Sequence, residues 1–218
     1  MTDDVDTEFI EEDVSPTDSG RFVGQKIDGK LHGVLEDYDE DNNLISHLNF
    51  EHGLLHGHNL HFDEDQKLKQ KMTYHKGIPH GPAEFYKAGT PVMHTNYHEG
   101  DQHGETTLFD ENGFVRAKIQ YEHGFKQGAS KAYDVKGRLT SIQHYQKDLL
   151  DGQSVTYYPN GAILEVGTYV QGRKHGEFDT FYDTGAHKSR LVFDMGRPVR
   201  KPEFFTPNGR SMSPGIDV

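Results

Sequence analysis

Apolar, polar and glycine positions recur along this chain with a period of 24 residues. The first position of the motif G-x-x-H-G falls at Gly29, Gly53, Gly77, Gly100, Gly124, Asp148, Gly172 and Gly196, at spacings of 24, 24, 23, 24, 24, 24 and 24. A second glycine follows four residues on at Gly33, Gly57, Gly81, Gly104, Gly128, Gly152 and Gly176, and only the last copy breaks it, with Arg200. Nine residues after the first position stands an aromatic: Tyr38, Phe62, Tyr86, Phe109, Tyr133, Tyr157, Phe181 and Phe205. A second aromatic column closes each unit at Phe50, Tyr74, Tyr97, Tyr121, Tyr145, Tyr169 and Phe193. A third, aliphatic column holds Leu44, Leu68, Val92, Val115, Leu139 and Ile163, with His187 as its last member.

Between the two aromatics of each unit lies a turn signal: DEDN, DEDQ, KAG, DENG, DVKG, YPNG, YDTG and TPNG. Such stretches place glycine or asparagine where a left-handed residue closes a β-hairpin. The short form KAG accounts for the one spacing of 23 as a deletion inside a loop. The glycine motif supplies the other turn, because two glycines reach backbone angles closed to other residues. Each unit therefore reads as strand, tight turn, strand, glycine turn. No segment sustains a helical period. The expectation is an all-β fold, an elongated, single-layer, twisted antiparallel sheet. It is a meander of about eight repeated hairpins, some fifteen strands and roughly 70 Å long at the usual strand spacing. The aromatic columns are expected on one face, stacking from hairpin to hairpin over a core one residue deep. A closed propeller fits less well, since a blade needs about 40 residues and four strands.

The ends depart from the pattern. Residues 1–19 lack it and are rich in Asp, Glu, Ser, Thr and Pro, which predicts a disordered acidic arm. The repeat domain spans residues 20–210, with residues 20–28, GRFVGQKID, as its first strand. The last unit carries Pro198, Pro202 and Pro207, which suit an edge strand because proline removes donors that would recruit another chain. Residues 211–218 read as a loose tail.

Composition agrees with a thin sheet. Hydrophobic residues make up 33 % of the 218, and mean hydropathy is −0.83, so Tyr and Phe must supply much of the buried area. There is no cysteine, which excludes disulfides and thiolate metal sites. The start, MTDDVDTEFIEEDV, has no basic or apolar region of a secretory signal. No apolar run approaches the ~20 residues of a membrane-spanning helix. A soluble, cytoplasmic protein is expected. Charge is uneven. Residues 1–65 hold 18 acidic against 3 basic side chains, net −15, and residues 66–218 hold 17 against 20, net +3. That end would repel nucleic acid and anionic membrane. It serves either solubility or a partner with a basic surface.

Units such as GRKHGEFDTFYDTG and DGQSVTYYPNGAILEVGTY resemble the MORN repeat in its bacterial variant. The resemblance covers about residues 20–210 and rests on G-x-x-H-G, an aromatic, x-x-N-G and a final Tyr. It implies a twisted antiparallel sheet and a binding role. That variant occurs in YwqK-like antitoxins and in immunity proteins beside polymorphic toxins, and MORN repeats also serve as scaffolds and proposed lipid-binding modules. The resemblance brings no catalytic residue and no cofactor. The chain departs from it at Gln127, Asp148, Asp151 and Arg200, where irregular turns are expected.

Candidate chemistry is sparse. Among the 15 histidines, His32, His56, His80, His103 and His175 form one column of the glycine motif. Its members lie two strands, about 10 Å, apart, too far to share an ion at Zn–N distances of ~2.1 Å. Pairs from neighbouring columns, such as His56 with His58, could meet. The simpler reading has His packing over the turn and bonding backbone, with no metal. No nucleophile elbow, phosphate loop or HExxH motif is present, so no enzyme is expected. The residues that break the repeat without harming it are the acidic hairpin tips Glu36, Asp37, Asp39, Glu40 and Asp41, then Asp63, Glu64 and Asp65. DVKG and YPNG do the same scaffold job without that acidity. These eight are the candidate partner-binding residues. With the resemblance they point to an immunity protein that occludes a toxin with a basic cleft, a nuclease effector such as a type VI secreted one. The alternative is a MORN-type structural scaffold or membrane-associated adaptor.

Overall fold

The computed structural model describes residues 7–13 and 20–212. Every regular element among them is a β-strand. The chain divides into two compact units, residues 1–113 and 114–218, where the sequence reading had one repeat domain. In each unit every strand pairs antiparallel with its chain neighbours, giving an open meander of hairpins. A hairpin that touches only its neighbours gains nothing from distant chain, which is the energetic pattern of a repeat protein.

The glycine turn is tighter than expected. It consists of the first glycine and the residue before it, and both lie in the left-handed region. Asp28 and Gly29 have φ of 51° and 69°, Lys76 and Gly77 have 50° and 82°, and Gln171 and Gly172 have 47° and 78°. Two consecutive positive φ values define a type I′ turn, whose twist matches paired strands. The x-x-H-G that follows belongs to the next strand. In the hairpin after Gly53, Phe50 pairs with Leu55 but His47 pairs with Leu60, so this strand carries two extra residues. The bulge centres on Gly57, at φ 74°, and His56 N–H donates to Asn49 O at 2.8 Å. Such bulges divide several strands, as at Leu54–Leu55 and Gly57–Phe62, which raises the strand number above fifteen.

Asp148 was expected to disturb its turn and does not. It takes the glycine's conformation at φ 67°. Its Oδ1 accepts the Lys126 backbone N–H at 2.7 Å, a bond that glycine could not make. At the opposite tips, three loop residues form a type I turn followed by a left-handed residue, as where Asn42 N–H donates to Asp39 O and Asp39 N–H donates to Asn43 O. KAG closes instead in two residues, with Ala88 at φ 51° and Gly89 at φ 82° between the paired Lys87 and Thr90. The deletion switches turn type and leaves the hairpin intact.

The aromatic columns lie on opposite faces, not on one. Tyr38 pairs with Leu44 and Phe50 pairs with Gly33, five rungs away. Faces alternate at each rung, and five is odd. Tyr38 and Phe62 therefore share a face with His47, and Phe50 and Tyr74 share the other with Leu35. On that second face the buried row of the first unit runs through Ser46, Asn59, Met72, Ala83, Thr95 and Thr106, mostly small or polar residues with Met72 as the large apolar one, flanked by half-buried aromatics. The Asn59 side chain accepts Asn49 N–H at 2.6 Å and donates to Gly57 O at 3.2 Å, and the Thr95 and Thr106 hydroxyls meet at 2.5 Å. A buried polar row is tolerated because each group is bonded. In the second unit the row holds Phe178, 2 % exposed, edge-on to Tyr169 and Phe193 with ring centroids 5.4 and 5.3 Å away. Gly167 leaves the space for that ring.

The expectation of a disordered arm is corrected over part of its length. Thr7–Asp13 forms a strand paired with Gly20–Ile27, Thr7 opposite Ile27 and Asp13 opposite Arg21. Ladder bonds need no side-chain periodicity, and the strand covers an edge that would stand open. Residues 1–6 and 14–19 lie outside the described residues. At the other end Ser211 bridges to Phe205, and the rest of the expected tail, residues 213–218, also lies outside.

Two outcomes follow. Gly167→Ala places a methyl group inside the Phe178 ring and should lower stability by about 1–3 kcal/mol in urea denaturation; an unchanged midpoint would show that the ring has room to move. Lys76→Asn keeps the left-handed turn with a residue that tolerates it and should raise the midpoint, whereas a lower midpoint would mean that Lys76 makes contacts worth more than its strain.

Candidate binding surface

Three successive hairpin tips of the first unit enclose a groove of about 590 Å³. Its floor is Leu44, Ile45, Phe62, Tyr86 and Ala88, and its rim is Asp39, Asp63, Glu64, Asp65, Gln66, Lys69 and Lys87. The floor forms because Phe62, Tyr86 and Leu44 belong to columns that share one face near the tips. Ile45 joins them from the position where the ladder skips a residue, between the Tyr38–Leu44 and Asp37–Ser46 pairs. Tyr86 donates its hydroxyl to Glu84 at 2.5 Å, and that bond, with burial, pushes its pKa up to about 12. The phenol thus stays neutral beneath the acidic rim.

The eight predicted residues take different parts. Asp39 and Asp63 are turn caps. Asp39 Oδ1 accepts N–H bonds from Asp41 at 3.0 Å and Asn43 at 2.8 Å, and Asp63 Oδ1 accepts from Asp65 at 3.1 Å and Lys67 at 2.9 Å. Asp110 and Asp134 do the same at later tips, so this acidity belongs to the scaffold. The Asn43 side chain and backbone bonds hold the Asp39 carboxyl below its ordinary pKa. Glu36 accepts from Tyr38 Oη at 2.7 Å and lies 3.2 Å from His47 Nδ1; the Tyr38 bond leads in lowering its pKa. Asp37 faces the opposite side of the sheet, where burial raises its pKa against the pull of His61. Glu40, Asp41, Glu64 and Asp65 are exposed at the tips, and of these Glu64 and Asp65 border the groove while Glu40 and Asp41 stand at the adjoining tip.

The sequence reading missed Gln66. Its amide bonds Leu44 N–H and C=O at 3.1 and 3.3 Å, tying the second tip to the first. Tips of the second unit are tied by tyrosines in the same manner, Tyr158 Oη to Phe181 O and Tyr182 Oη to Phe205 O, both at 2.9 Å. Lys69, Lys87 and Ile45 were also missed, because only the fold brings them to one rim and floor.

The histidines form a row at the glycine-turn edge of the first unit. His75 and His98 stand between members of the expected column. Ring centroids are 5.1 Å apart for His56 and His75, 6.2 Å for His75 and His80, 5.1 Å for His80 and His98, and 5.7 Å for His98 and His103. His58 is not His56's neighbour in this row and bonds Thr73 instead. Among the described residues no three His, Asp or Glu side chains converge as a metal site. His80 Nδ1 accepts the Glu99 backbone N–H at 3.5 Å, and His56 Nδ1 lies 3.0 Å from Glu51.

With this geometry established, comparison with known proteins is informative at one level. Residues 31–52, 102–123 and 150–171 match the MORN repeat variant. All three matches begin two residues after the first motif position, in the phase of the period found above. The chain therefore carries repeats of the MORN variant at these three places. No curated protein matches it. One similar solved chain comes from the crystal structure of the GtfA/B complex bound to UDP and GlcNAc, at 16 % identity over 50 % of this chain and 22 % of that chain, with a TM-score of 0.23. At that score neither fold nor function carries across.

The carboxyl environments predict a titration order. A lowered pKa at Asp39 contributes stability that is present above the ordinary carboxylate value and lost as pH falls through the folded value. A raised pKa at Asp37 does the opposite, costing stability once pH exceeds the ordinary value. Carbon-detected NMR titration should find Asp39 deprotonating below the ordinary aspartate range and Asp37 above it; the reverse order would contradict the assigned roles of cap and buried group.

Proposed function

We propose that this protein is a non-catalytic binding protein that neutralises a cognate toxin in the cytoplasm, as an immunity protein or antitoxin. The observation that carries the reading is the acidity of the first two tips beyond what turn-making needs. Asp39 and Asp63 cap their turns, but Glu40, Asp41, Glu64 and Asp65 do not serve the fold in that way, and the equivalent tip of the second unit closes around Asn160 and Gly161. These exposed carboxylates on two adjacent tips, of which Asp65 also lies 3.4 Å from Lys67 Nζ, form a surface for a cationic partner. A nuclease cleft is such a partner, since it is basic in order to hold phosphates. A sheet seated across it occludes the active site without any chemistry of its own. The MORN-variant repeats and the net charge of −15 over residues 1–65 support the same reading.

A second reading, structural scaffold or membrane-associated adaptor, is favoured by exposed apolar side chains next to glycine turns: Leu54 at 49 % and Ile78 at 50 % exposure in the first unit, and Phe125 and Leu149 in the second. Flotation with anionic vesicles separates the two, because an acidic toxin-binding protein stays in the unbound fraction.

This reading expects a gene for a toxic protein beside this one, and that protein, expressed alone, should kill its host cell. Co-expression of the full chain should restore growth, and Glu40→Lys combined with Asp41→Lys and Glu64→Lys should reduce survival at least tenfold while leaving the urea midpoint unchanged. Full rescue by that variant would sink the role of the tips, and no rescue by the wild-type chain would sink the immunity reading.

A further inference from the structure

The groove beneath the acidic tips has a floor, and the floor adds a requirement that charge alone does not. Ile45 is 39 % exposed and lies with Phe62 and Tyr86 in a concavity of about 590 Å³. That size falls within the ~300–1,000 Å³ of ligand-binding concavities, and the groove stays open to solvent along the tips. Its walls are charged unequally. The second tip brings Asp63, Glu64 and Asp65, the last 3.4 Å from Lys67 Nζ, with Lys69 on the strand that follows; the first brings Asp39, and the third brings Lys87.

Spacing sets the rest. Successive tips are separated by one hairpin, two strands, or about 10 Å. A segment in the extended polyproline II form advances ~3.1 Å per residue with three residues per turn, so side chains three apart share a face and meet successive tips. We propose that the groove receives an extended segment of a basic partner, with Lys or Arg at positions i and i+3 over the first two tips and an aromatic or large aliphatic side chain between them on Ile45, Phe62 and Tyr86. Lys87 at the third tip disfavours a further cation there, which limits the pattern to two cations. This inference rests on the acidic-tip reading above and adds a sequence pattern to it. The apolar anchor supplies affinity that survives salt, and the flanking cations supply steering that salt screens.

Fluorescence anisotropy with the full-length protein tests the pattern. The probes are fluorescein-labelled Gly-Arg-Phe-Ser-Arg-Gly, its rearranged form Gly-Arg-Phe-Arg-Ser-Gly, and Gly-Arg-Ser-Ser-Arg-Gly, which keeps the charges without the anchor. The first should bind at least fivefold more tightly than either of the others. Ile45→Glu should remove the advantage of the Phe peptide, and Glu64→Lys should weaken both peptides with the i, i+3 spacing; circular dichroism checks that each variant keeps its sheet. Equal binding of all three peptides, lost only in Glu64→Lys, would overturn the groove and leave the acidic-tip reading standing. Binding by none of them would also overturn the groove, and the growth-rescue result then decides the acidic-tip reading by itself.

Discussion

Everything in this fold depends on a pair of backbone angles at the end of each hairpin. Two consecutive left-handed residues make the type I′ turn, and that turn fixes which residue faces which across the ladder. Without it the short buried row would lose its register, and a one-residue slip would send Asn59, Ala83 and Thr106 to the wrong face. The second residue of the pair is glycine in every unit but one, where Asp148 takes its conformation at φ 67°. The first residue is whatever the unit supplies, from Asp28 to Met195, all at φ of 45° to 51°. The strain of a bulky residue there is borne because the neighbouring hairpins dictate the register.

The core is accordingly thin and not very hydrophobic. In the first unit it combines Met72 and Ala83 with bonded amides and hydroxyls between half-buried aromatics, and in the second Phe178, with Ser154 and Ser189 also buried, sits where Gly167 makes room. Such a core explains how a chain with 33 % hydrophobic residues folds at all. Stability comes from backbone ladders and neighbour contacts repeated many times. Tip side chains serve the fold through the capping carboxylate, or the asparagine or threonine that replaces it, and through ties between tips such as Gln66, Tyr158 and Tyr182. The remaining tip positions are free of that duty, and in the first two tips they are acidic around an apolar floor.

Much of this was legible in the sequence, and the misreadings have physical causes. The period, the hairpins, the tip turns and the effect of the KAG deletion follow from glycine and aromatic spacing alone. Placement of both aromatic columns on one face failed because parity depends on the rungs between Tyr38 and Phe50, and the skipped Ile45 is invisible in a residue count. The turn was placed across G-x-x-H-G because two glycines suggest one loop, whereas the second glycine serves a bulge. Thr7–Asp13 escaped notice because an edge strand needs backbone pairing more than a side-chain pattern. At the candidate surface, the acidic tips stood out by composition, but the division into caps and free carboxylates needed the hydrogen bonds. The groove needed Lys69 and Lys87 brought beside residues of neighbouring hairpins.

The most direct measurement is affinity capture from the protein's own cells with the full chain and with its Glu40→Lys, Asp41→Lys, Glu64→Lys variant, each at low and at moderately high salt. The account predicts one basic protein held by the wild-type chain, released as salt rises and absent from the variant. The same proteins on both baits, or membrane material on either, would contradict recognition through the acidic tips.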